Sequence, residues 1–238
     1  MTKKHKEVTQ QDSEAKEEGK ASSRRVFLFG RLENEVALPT IKRLLRLNDR
    51  DAKTPIDLYI NSAGGNGYNA DAIIAVIHSI SAPVNTICLG HALSGACEIL
   101  ASGTGERSSY EFATLMFHQT LWEADGDITN LEIQAAQGLR FREAQIELLH
   151  RCTGKEKTIL RKDIERDYYL SAHDALGYGI IDKVICHSDA QVMSLRGNHA
   201  GRKPAASKAR SPLAGARKPS NKTGRTQSRS TRGRTRNG

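Results

Sequence analysis

The stretch at residues 86–97 constrains the fold more than any other part of the chain. Its first residues belong to an apolar run, Val84–Leu89, that has the length and composition of a buried strand. Glycine and other small residues follow. Ser94 lies among them, with Ala92 and Ala96 two positions away on either side. A nucleophilic serine on a sharp strand-to-helix turn needs small neighbours, because larger side chains collide with the tight backbone. The stretch therefore predicts a strand, a sharp turn and a helix, with Ser94 as a candidate nucleophile.

The predicted helix begins at Gly95, directly after this serine. At a helix N-terminus the dipole and the free N–H groups favour a developing negative charge. The alternative interpretation is a serine whose side chain only caps the helix. A base and an acid elsewhere in the chain are needed to favour catalysis over capping.

The rest of the chain alternates between strand and helix patterns. Strands are predicted at residues 26–29, 56–60, 84–89, 114–117 and 180–185. Helices are predicted around residues 41–47, 72–80, 95–100, 130–151 and 155–166, and a short one from a capping box at Ser171–Asp174 to Gly177 or Gly179. Pro39 is expected in the first turn of the first helix. This alternation indicates an α/β fold with parallel strands and right-handed crossovers.

The charge of the chain is concentrated at its C-terminal end. The whole chain carries +9, whereas residues 190–238 contain thirteen Lys or Arg and no acid, so that the remainder is mildly acidic. We expect a disordered polar lead at residues 1–23, one domain at residues 24–187 and a disordered basic tail at residues 188–238. The tail is expected either to bind polyanions such as nucleic acid or to serve as a linker without a dedicated ligand.

The four cysteines form no CxxC pair and have no metal-ligand spacing with histidine. We therefore expect no metal, no other cofactor and a reducing, cytoplasmic location. The N-terminus has no apolar segment typical of a secretory signal, and no stretch reaches the length of a membrane span. The protein is expected to be soluble.

A base and an acid accompany the candidate nucleophile. His118 follows a predicted strand, 24 positions after Ser94, at the sheet edge where α/β sites are usually built. Asp167 precedes an aromatic and apolar run and is the favoured acid, while Asp163 and Asp182 remain alternatives that spacing alone does not exclude. The order Ser, His, Asp differs from that of α/β-hydrolases, so that fold is disfavoured.

Glycines supply candidate backbone donors for an oxyanion. Gly64 and Gly65 end the predicted strand at residues 56–60, and Gly95 follows Ser94. Glycine permits close approach of the backbone to a substrate. The alternative for the glycine pair is an ordinary strand-to-helix turn.

Six ordered segments make the chain resemble the proteolytic subunits of the ATP-dependent Clp proteases, which are serine peptidases of crotonase-like fold. The matching segments are residues 26–30, 57–65, 86–96, 116–119, 165–167 and 171–184. The resemblance covers roughly residues 24–187 and implies repeated ββα units with a protruding strand-helix handle at residues 121–151. It also implies two stacked heptameric rings that enclose the sites and a partner AAA+ unfoldase.

The resemblance also assigns roles to individual residues. Ser94 matches the family's nucleophile, His118 its general base and Asp167 the acid that orients the base. Gly65 and Gly95 match the positions of the oxyanion-hole donors. The implied activity is hydrolysis of unfolded polypeptides to short peptides.

The chain departs from the family pattern near the nucleophile and in the handle. Gly95 stands where the family usually has methionine, and Glu98 replaces an apolar residue, so that its burial would require a partner. Ala63 and Thr120 replace prolines, and residues 121–127 replace a glycine-rich strand along which substrate would lie.

These departures keep other functions open beside the endopeptidase. One is a weakly active or regulatory subunit in a mixed ring of homologous chains. Another is a crotonase-type scaffold whose basic tail binds nucleic acid. An enzyme acting on acyl-CoA is the least favoured, because it would have little use for a Ser, His and Asp set.

Overall fold

The computed structural model describes residues 23–187. Seven strands and six helices follow one another within these residues. The strands are β1 (Arg25–Phe29), β2 (Ile56–Ser62), β3 (Val84–Leu93), β4 (Arg107–Tyr110), β5 (Thr114–Phe117), β6 (Tyr168–Ser171) and β7 (Lys183–Ile185). The helices are α1 (Asn34–Arg50), α2 (Gly67–Ser79), α3 (Gly95–Ala101), α4 (Ile128–Thr153), α5 (Lys157–Asp163) and α6 (Ala172–Tyr178).

The sheet divides at its longest strand, β3. The main path runs β1-β2-β3-β4-β7, and all its neighbouring strands are parallel. The first half of β3 pairs with β4, with Cys88 opposite Ser109. Its second half pairs in parallel with β5, with Leu93 opposite Met116, and β5 pairs with β6 in antiparallel fashion. The carboxyl end of β3 is therefore held against β5.

Aliphatic side chains build the core between the sheet and its helices. In β2, buried and half-buried residues alternate, and Ile56, Leu58 and Ile60 are fully buried. Helices α1 and α2 contribute buried side chains such as Leu44 and Ile73. Full burial of one Leu or Ile side chain contributes about 1.5–3 kcal/mol. Helix α3 is buried along its whole length, which fixes the helix that follows the candidate nucleophile.

The α/β class and the mostly parallel sheet confirm the prediction from sequence, but β3 is longer than predicted. It continues past Leu89 to Leu93. Two partners explain the extension: β5 pairs with its last residues, and the side-chain oxygen of Asn61 accepts a hydrogen bond of 3.2 Å from the His91 N–H. Neither partner is adjacent in sequence, so the local pattern predicted only the apolar part of the strand.

Strands β4 and β6 were not predicted, and β7 is shorter than predicted. The sequence of β4 is polar, although Ser108 and Ser109 are buried in the sheet. The antiparallel β6 departs from the predicted parallel pairing. The last strand, predicted at residues 180–185, begins only at Lys183, because Ile180 and Ile181 are buried in the turn before it. Burial here comes from tertiary packing that a short sequence pattern does not encode.

Pro39 lies in the second turn of α1, not in the first turn as predicted. A proline there removes the N–H that would bond to the carbonyl of Glu35. Both residues are exposed, so water can satisfy that carbonyl. Exposure on the outer face makes the proline tolerable inside the helix.

The other predicted helices are observed with shifted ends. The helix predicted at residues 130–151 spans residues 128–153, and the one predicted at 155–166 spans 157–163. The capping box of Ser171 and Asp174 is confirmed, and its helix ends at Gly179 in the left-handed conformation. The predicted lead and basic tail lie outside the described residues, apart from Ser23. No helix within residues 23–187 combines the length and the apolar character needed to cross a membrane.

Arg107 connects β4 to neighbouring elements, and we predict that Arg107→Lys destabilises the fold. Its guanidinium donates to both carboxylate oxygens of Asp182, at 2.6 and 3.0 Å, and to the carbonyl of Cys152 at 2.9 Å. Lysine cannot form this fork, and each lost hydrogen bond to a charged group costs about 1.5–3 kcal/mol. Thermal denaturation should show a lowered midpoint. The control is Lys183→Ala, which removes an exposed 3.3 Å ion pair with Glu106 and should leave the midpoint nearly unchanged.

Candidate active site

Ser94 occupies a strained turn between β3 and α3. Its φ is 55° and its ψ is −131°, and it is the only non-glycine residue with positive φ within residues 23–187. Such a conformation costs on the order of 1–3 kcal/mol and persists only where its surroundings hold it. The Ser94 N–H donates to the carbonyl of Met116 at 2.8 Å, and the Ser94 carbonyl accepts from the N–H of Cys97 at 2.8 Å. The backbone on both sides of the turn is thus fixed.

The hydroxyl of Ser94 points to a histidine and not to its own helix. The Oγ of Ser94 lies 2.8 Å from Nε2 of His118. Among the described residues it makes no capping hydrogen bond. The geometry therefore favours the nucleophile interpretation over the capping one.

Strand pairing brings His118 and Asp167 together. Phe117, the last residue of β5, lies opposite Tyr168, the first residue of the antiparallel β6. The next residue beyond each strand end is His118 on one side and Asp167 on the other. Nδ1 of His118 lies 3.0 Å from a carboxylate oxygen of Asp167. Ser94, His118 and Asp167 thus form one continuous hydrogen-bonded chain.

The two alternative acids are engaged elsewhere. Asp163 accepts a 2.7 Å hydrogen bond from the hydroxyl of Tyr178. Asp182 is paired with the guanidinium of Arg107, which lowers the pKa of its carboxyl group. Within the described part of the chain, Asp167 is the only carboxylate bonded to His118.

The first glycine of the pair, Gly64, lies against the serine turn. Gly64 has a φ of +78°, and a Cβ atom there would come within 2.6 Å of the Leu93 carbonyl oxygen and 2.8 Å of the Ser94 Cβ. The same Cβ would lie 3.2 Å from the backbone nitrogen of Gly95. The structure therefore places Gly64 directly beside the Ser94 turn and Gly95. A Cβ at Gly65 would instead lie 2.7 Å from the backbone nitrogen of Leu32.

Gly95 also allows close packing of two helices. A Cβ at this position would lie 2.9 Å from the Cβ of Ala70 in α2. The larger residue expected there from the family resemblance would need α2 to move away. The missing side chain is thus compensated by direct contact between α2 and the start of α3.

Glu98 is buried beside the site and has a partner. Its exposed fraction is 6%, and its Oε1 accepts a 2.6 Å hydrogen bond from the side-chain amide of Gln145 in α4. Burial raises the pKa of the Glu98 carboxyl to about 7, because the charged form is poorly solvated there. The same amide nitrogen donates to the His118 carbonyl at 2.8 Å.

The sequence analysis missed Gln145, although a signal existed. It lies one helical turn before Leu149, on the apolar face of a predicted helix. A polar side chain at such a position requires a buried polar partner. The sequence analysis had already noted that Glu98, if buried, would also need one.

Within residues 23–187 no group of three or more His, Cys, Asp or Glu is arranged to hold a metal ion.

The buried carboxyl of Glu98 generates a prediction on stability. Its pKa is raised from 4.5 to about 7 in the folded chain, so folding favours the protonated form. Stability is therefore lost as pH rises from about 4.5 to about 7, by an amount on the order of 3 kcal/mol. Glu98→Gln removes this charge, and its melting-temperature advantage over the wild type should grow across that window and level off above it.

Thermal denaturation of both proteins between pH 5 and 8 measures this difference. The matched control is Glu132→Gln on the exposed side of α4, which should keep the pH dependence of the wild type. A constant difference between Glu98→Gln and the wild type across the range would contradict a raised pKa.

The chain is similar to known proteins of one family. The Clp protease family profile matches residues 11–188 of the chain. The chain is 37% identical over 173 residues to the ATP-dependent Clp protease proteolytic subunit 3 of Frankia casuarinae, covering 72% of this chain and 81% of the relative. It is 35% identical over 161 residues to the ATP-dependent Clp protease proteolytic subunit of Deinococcus radiodurans, covering 67% and 79%. Proteolytic subunit 2 of Frankia casuarinae is 38% identical over 161 residues, covering 67% and 74%.

These matches confirm the resemblance that the six sequence segments indicated. The family profile spans the strained turn and all the residues of the hydrogen-bonded chain. The chain therefore belongs to the Clp protease family of serine endopeptidases.

Proposed function

We propose that this chain is a proteolytic subunit that cuts unfolded polypeptides into short peptides, with Ser94 as nucleophile, His118 as general base and Asp167 as orienting acid. The observation that carries this proposal is the 2.8 Å contact between the Ser94 hydroxyl and His118. A nucleophile bonded to a base that is oriented by a third group is the arrangement that acyl transfer requires.

The first step forms an acyl-enzyme. The Oγ of Ser94 attacks the carbonyl carbon of the scissile peptide bond, and its proton passes to Nε2 of His118. The electron pair of the carbonyl moves onto its oxygen, which the N–H groups of Gly65 and Gly95 stabilise. When the C–N bond breaks, His118 donates the proton to the leaving amine.

The second step releases the acyl group. Water attacks the ester carbon while His118 takes its proton, and the proton returns to the Oγ of Ser94 as the ester bond breaks. Throughout, Asp167 keeps the Nδ1–H of His118 in place, so that Nε2 is free to accept a proton. The strained backbone of Ser94 holds the hydroxyl in position before substrate arrives.

Replacement of the nucleophile gives the direct test. Ser94→Ala should abolish both labelling by a fluorophosphonate and hydrolysis of a fluorogenic peptide, because the attacking oxygen is removed. Mass spectrometry of the wild type should find the label on the peptide that contains Ser94. The control is Ser79→Ala, an exposed serine on α2, which should be labelled as the wild type is. Undiminished peptidase activity of Ser94→Ala would overturn the assignment.

The choice of acid has its own test. Asp167→Asn should lower kcat by roughly three to four orders of magnitude, because the amide favours the wrong tautomer of His118. Asp163→Asn is the matched control, since Asp163 is bonded to Tyr178 and not to the histidine. Steady-state kinetics on a short peptide compares the two. The reverse ranking would show that the acid was wrongly chosen.

We propose that the chain assembles as the family resemblance implies. Two stacked heptameric rings enclose the sites, residues 121–151 form the handle between the rings, and an AAA+ unfoldase supplies unfolded chains. The 238 residues contain no P-loop. They contain two Gly-Lys pairs, Gly19-Lys20 and Gly154-Lys155, and the position where the motif requires its first glycine holds Glu14 and Leu149, respectively. ATP hydrolysis is therefore the task of the partner.

An enclosed chamber predicts a difference between substrates. The purified protein should cleave a short peptide without ATP and leave a stable folded protein intact, because only the peptide diffuses into the ring. Digestion of the folded protein should require a partner unfoldase and ATP. The measurement compares a fluorogenic peptide and a stable tagged protein side by side. Rapid digestion of the folded protein by this chain alone would exclude the chamber.

A second candidate is a weakly active or regulatory subunit in a mixed ring. It is favoured by residues 121–127, which contain no strand in place of the glycine-rich strand of the family. Trp122 from this segment packs on Phe141 and on Gly138 of α4. A kcat of the purified chain far below that of a mixed ring with a homologue would favour this candidate.

Two further parts of the proposal concern the setting of the protein. The cysteines Cys88, Cys97, Cys152 and Cys186 are free thiols, which supports a reducing cytoplasm. The basic tail at residues 188–238 binds polyanions through its thirteen Lys and Arg.

A further inference from the structure

We propose that Gln145 is a positioning residue for His118 and that the buried carboxyl group of Glu98 anchors it. The inference rests on the proposed function, because it takes His118 as the general base. Gln145 touches none of the reacting atoms; it acts through the backbone carbonyl of the histidine.

The side-chain amide of Gln145 connects three elements at one point. Gln145 is 4% exposed and lies in α4. Its nitrogen donates to the carboxyl of Glu98 at 2.6 Å and to the carbonyl of His118 at 2.8 Å, which uses both of its N–H bonds. Glu98 belongs to α3, the helix that begins directly after Ser94. One amide group thus links the helix of the nucleophile to the backbone of the base.

The backbone of His118 depends on such a link. The residue lies just beyond the end of β5, whose last paired residue is Phe117. On its other side, the Gln119 N–H donates to the carbonyl of Ile164 at 2.6 Å. The contact with Gln145 fixes the carbonyl between these two anchors. Misplacement of a catalytic group by about 1 Å costs on the order of a hundredfold in rate, so this contact bears on kcat.

Glu98, which anchors Gln145, is polar, whereas the family usually has an apolar side chain at this position. A buried carboxyl is costly unless it is hydrogen-bonded, and Gln145 provides that bond. The Oε1 of Gln145 is itself buried and has no hydrogen-bond partner among the described residues. Asp71 of α2, Cys97 of α3 and Cys152 of α4 are the titratable groups that act on Glu98 or feel its charge.

The test replaces the amide without changing its volume. Gln145→Met should lower kcat for a fluorogenic peptide by about tenfold to a hundredfold, while KM changes little, because substrate contacts are untouched. Glu98→Gln keeps an acceptor for the amide and should retain a kcat near that of the wild type. The control is Thr40→Val, which removes a 2.8 Å hydrogen bond between Thr40 and the Val36 carbonyl within α1, neither of which belongs to the site. Thr40→Val should lower the melting temperature and leave kcat unchanged.

A spectroscopic measurement separates positioning from a loss of activity for other reasons. In protein labelled with ¹³C-histidine, the ring signal of His118 should shift in Gln145→Met and stay in place in Thr40→Val. Should Gln145→Met fail to fold, Gln145→Asn, whose shorter amide cannot reach both partners, is expected to behave in the same way.

Two outcomes overturn the inference, and both differ from failure of the proposed function. An unchanged kcat in Gln145→Met, with Ser94 still labelled by the fluorophosphonate, would leave the proposed function intact and exclude the positioning role. A wild type that is not labelled at Ser94 would contradict the proposed function. In that case the ring signal of His118 still tests the positioning role, because an unchanged signal in Gln145→Met excludes that role regardless of activity.

Discussion

The pairing of β5 with its two neighbours is the constraint on which the site depends. Its parallel contact with the second half of β3 fixes the end of the strand that precedes Ser94. Its antiparallel contact with β6 sets Phe117 opposite Tyr168, so that His118 and Asp167 emerge side by side. Three chemically different residues from distant parts of the sequence are thus brought close together by the backbone pairing of the sheet. Side-chain contacts refine an arrangement that the sheet has already created.

Next to the site, a small buried polar network of Glu98, Gln145 and the His118 carbonyl stands where apolar packing would be expected. The amide of Gln145 donates one N–H to the buried carboxyl of Glu98, which needs a hydrogen-bond partner. Its second N–H is donated to the His118 carbonyl. Such a network is stable only as a whole, because removing one member leaves a buried polar group unpaired. Two departures from the apolar pattern are therefore best understood as one coupled change.

The residues that meet at the candidate site were easier to predict from the sequence than the strands of the sheet. Ser94 was selected as a candidate because the small residues around it form a local pattern, and His118 because it directly follows an apolar strand. Strands β4 and β6 were missed, since their residues are polar or mixed and their pairing partners are remote. Gln145 was missed for the same reason, because its partners Glu98 and His118 lie in other elements. Local patterns encode local structure, whereas contacts between distant segments become visible only in the folded chain.

The glycine at position 64 has a consequence for how this chain can vary. Its backbone lies so close to the Leu93 carbonyl and the Ser94 Cβ that no side chain fits between them, and its φ of +78° is itself a glycine conformation. Position 63 accepts alanine in place of proline, yet the next position is closed to every larger residue. The segment from Ser62 to Gly64 and the serine turn therefore form a single mechanical unit, joined by contact without clearance. A shift of Gly64 towards the turn would therefore press directly on Leu93 and Ser94.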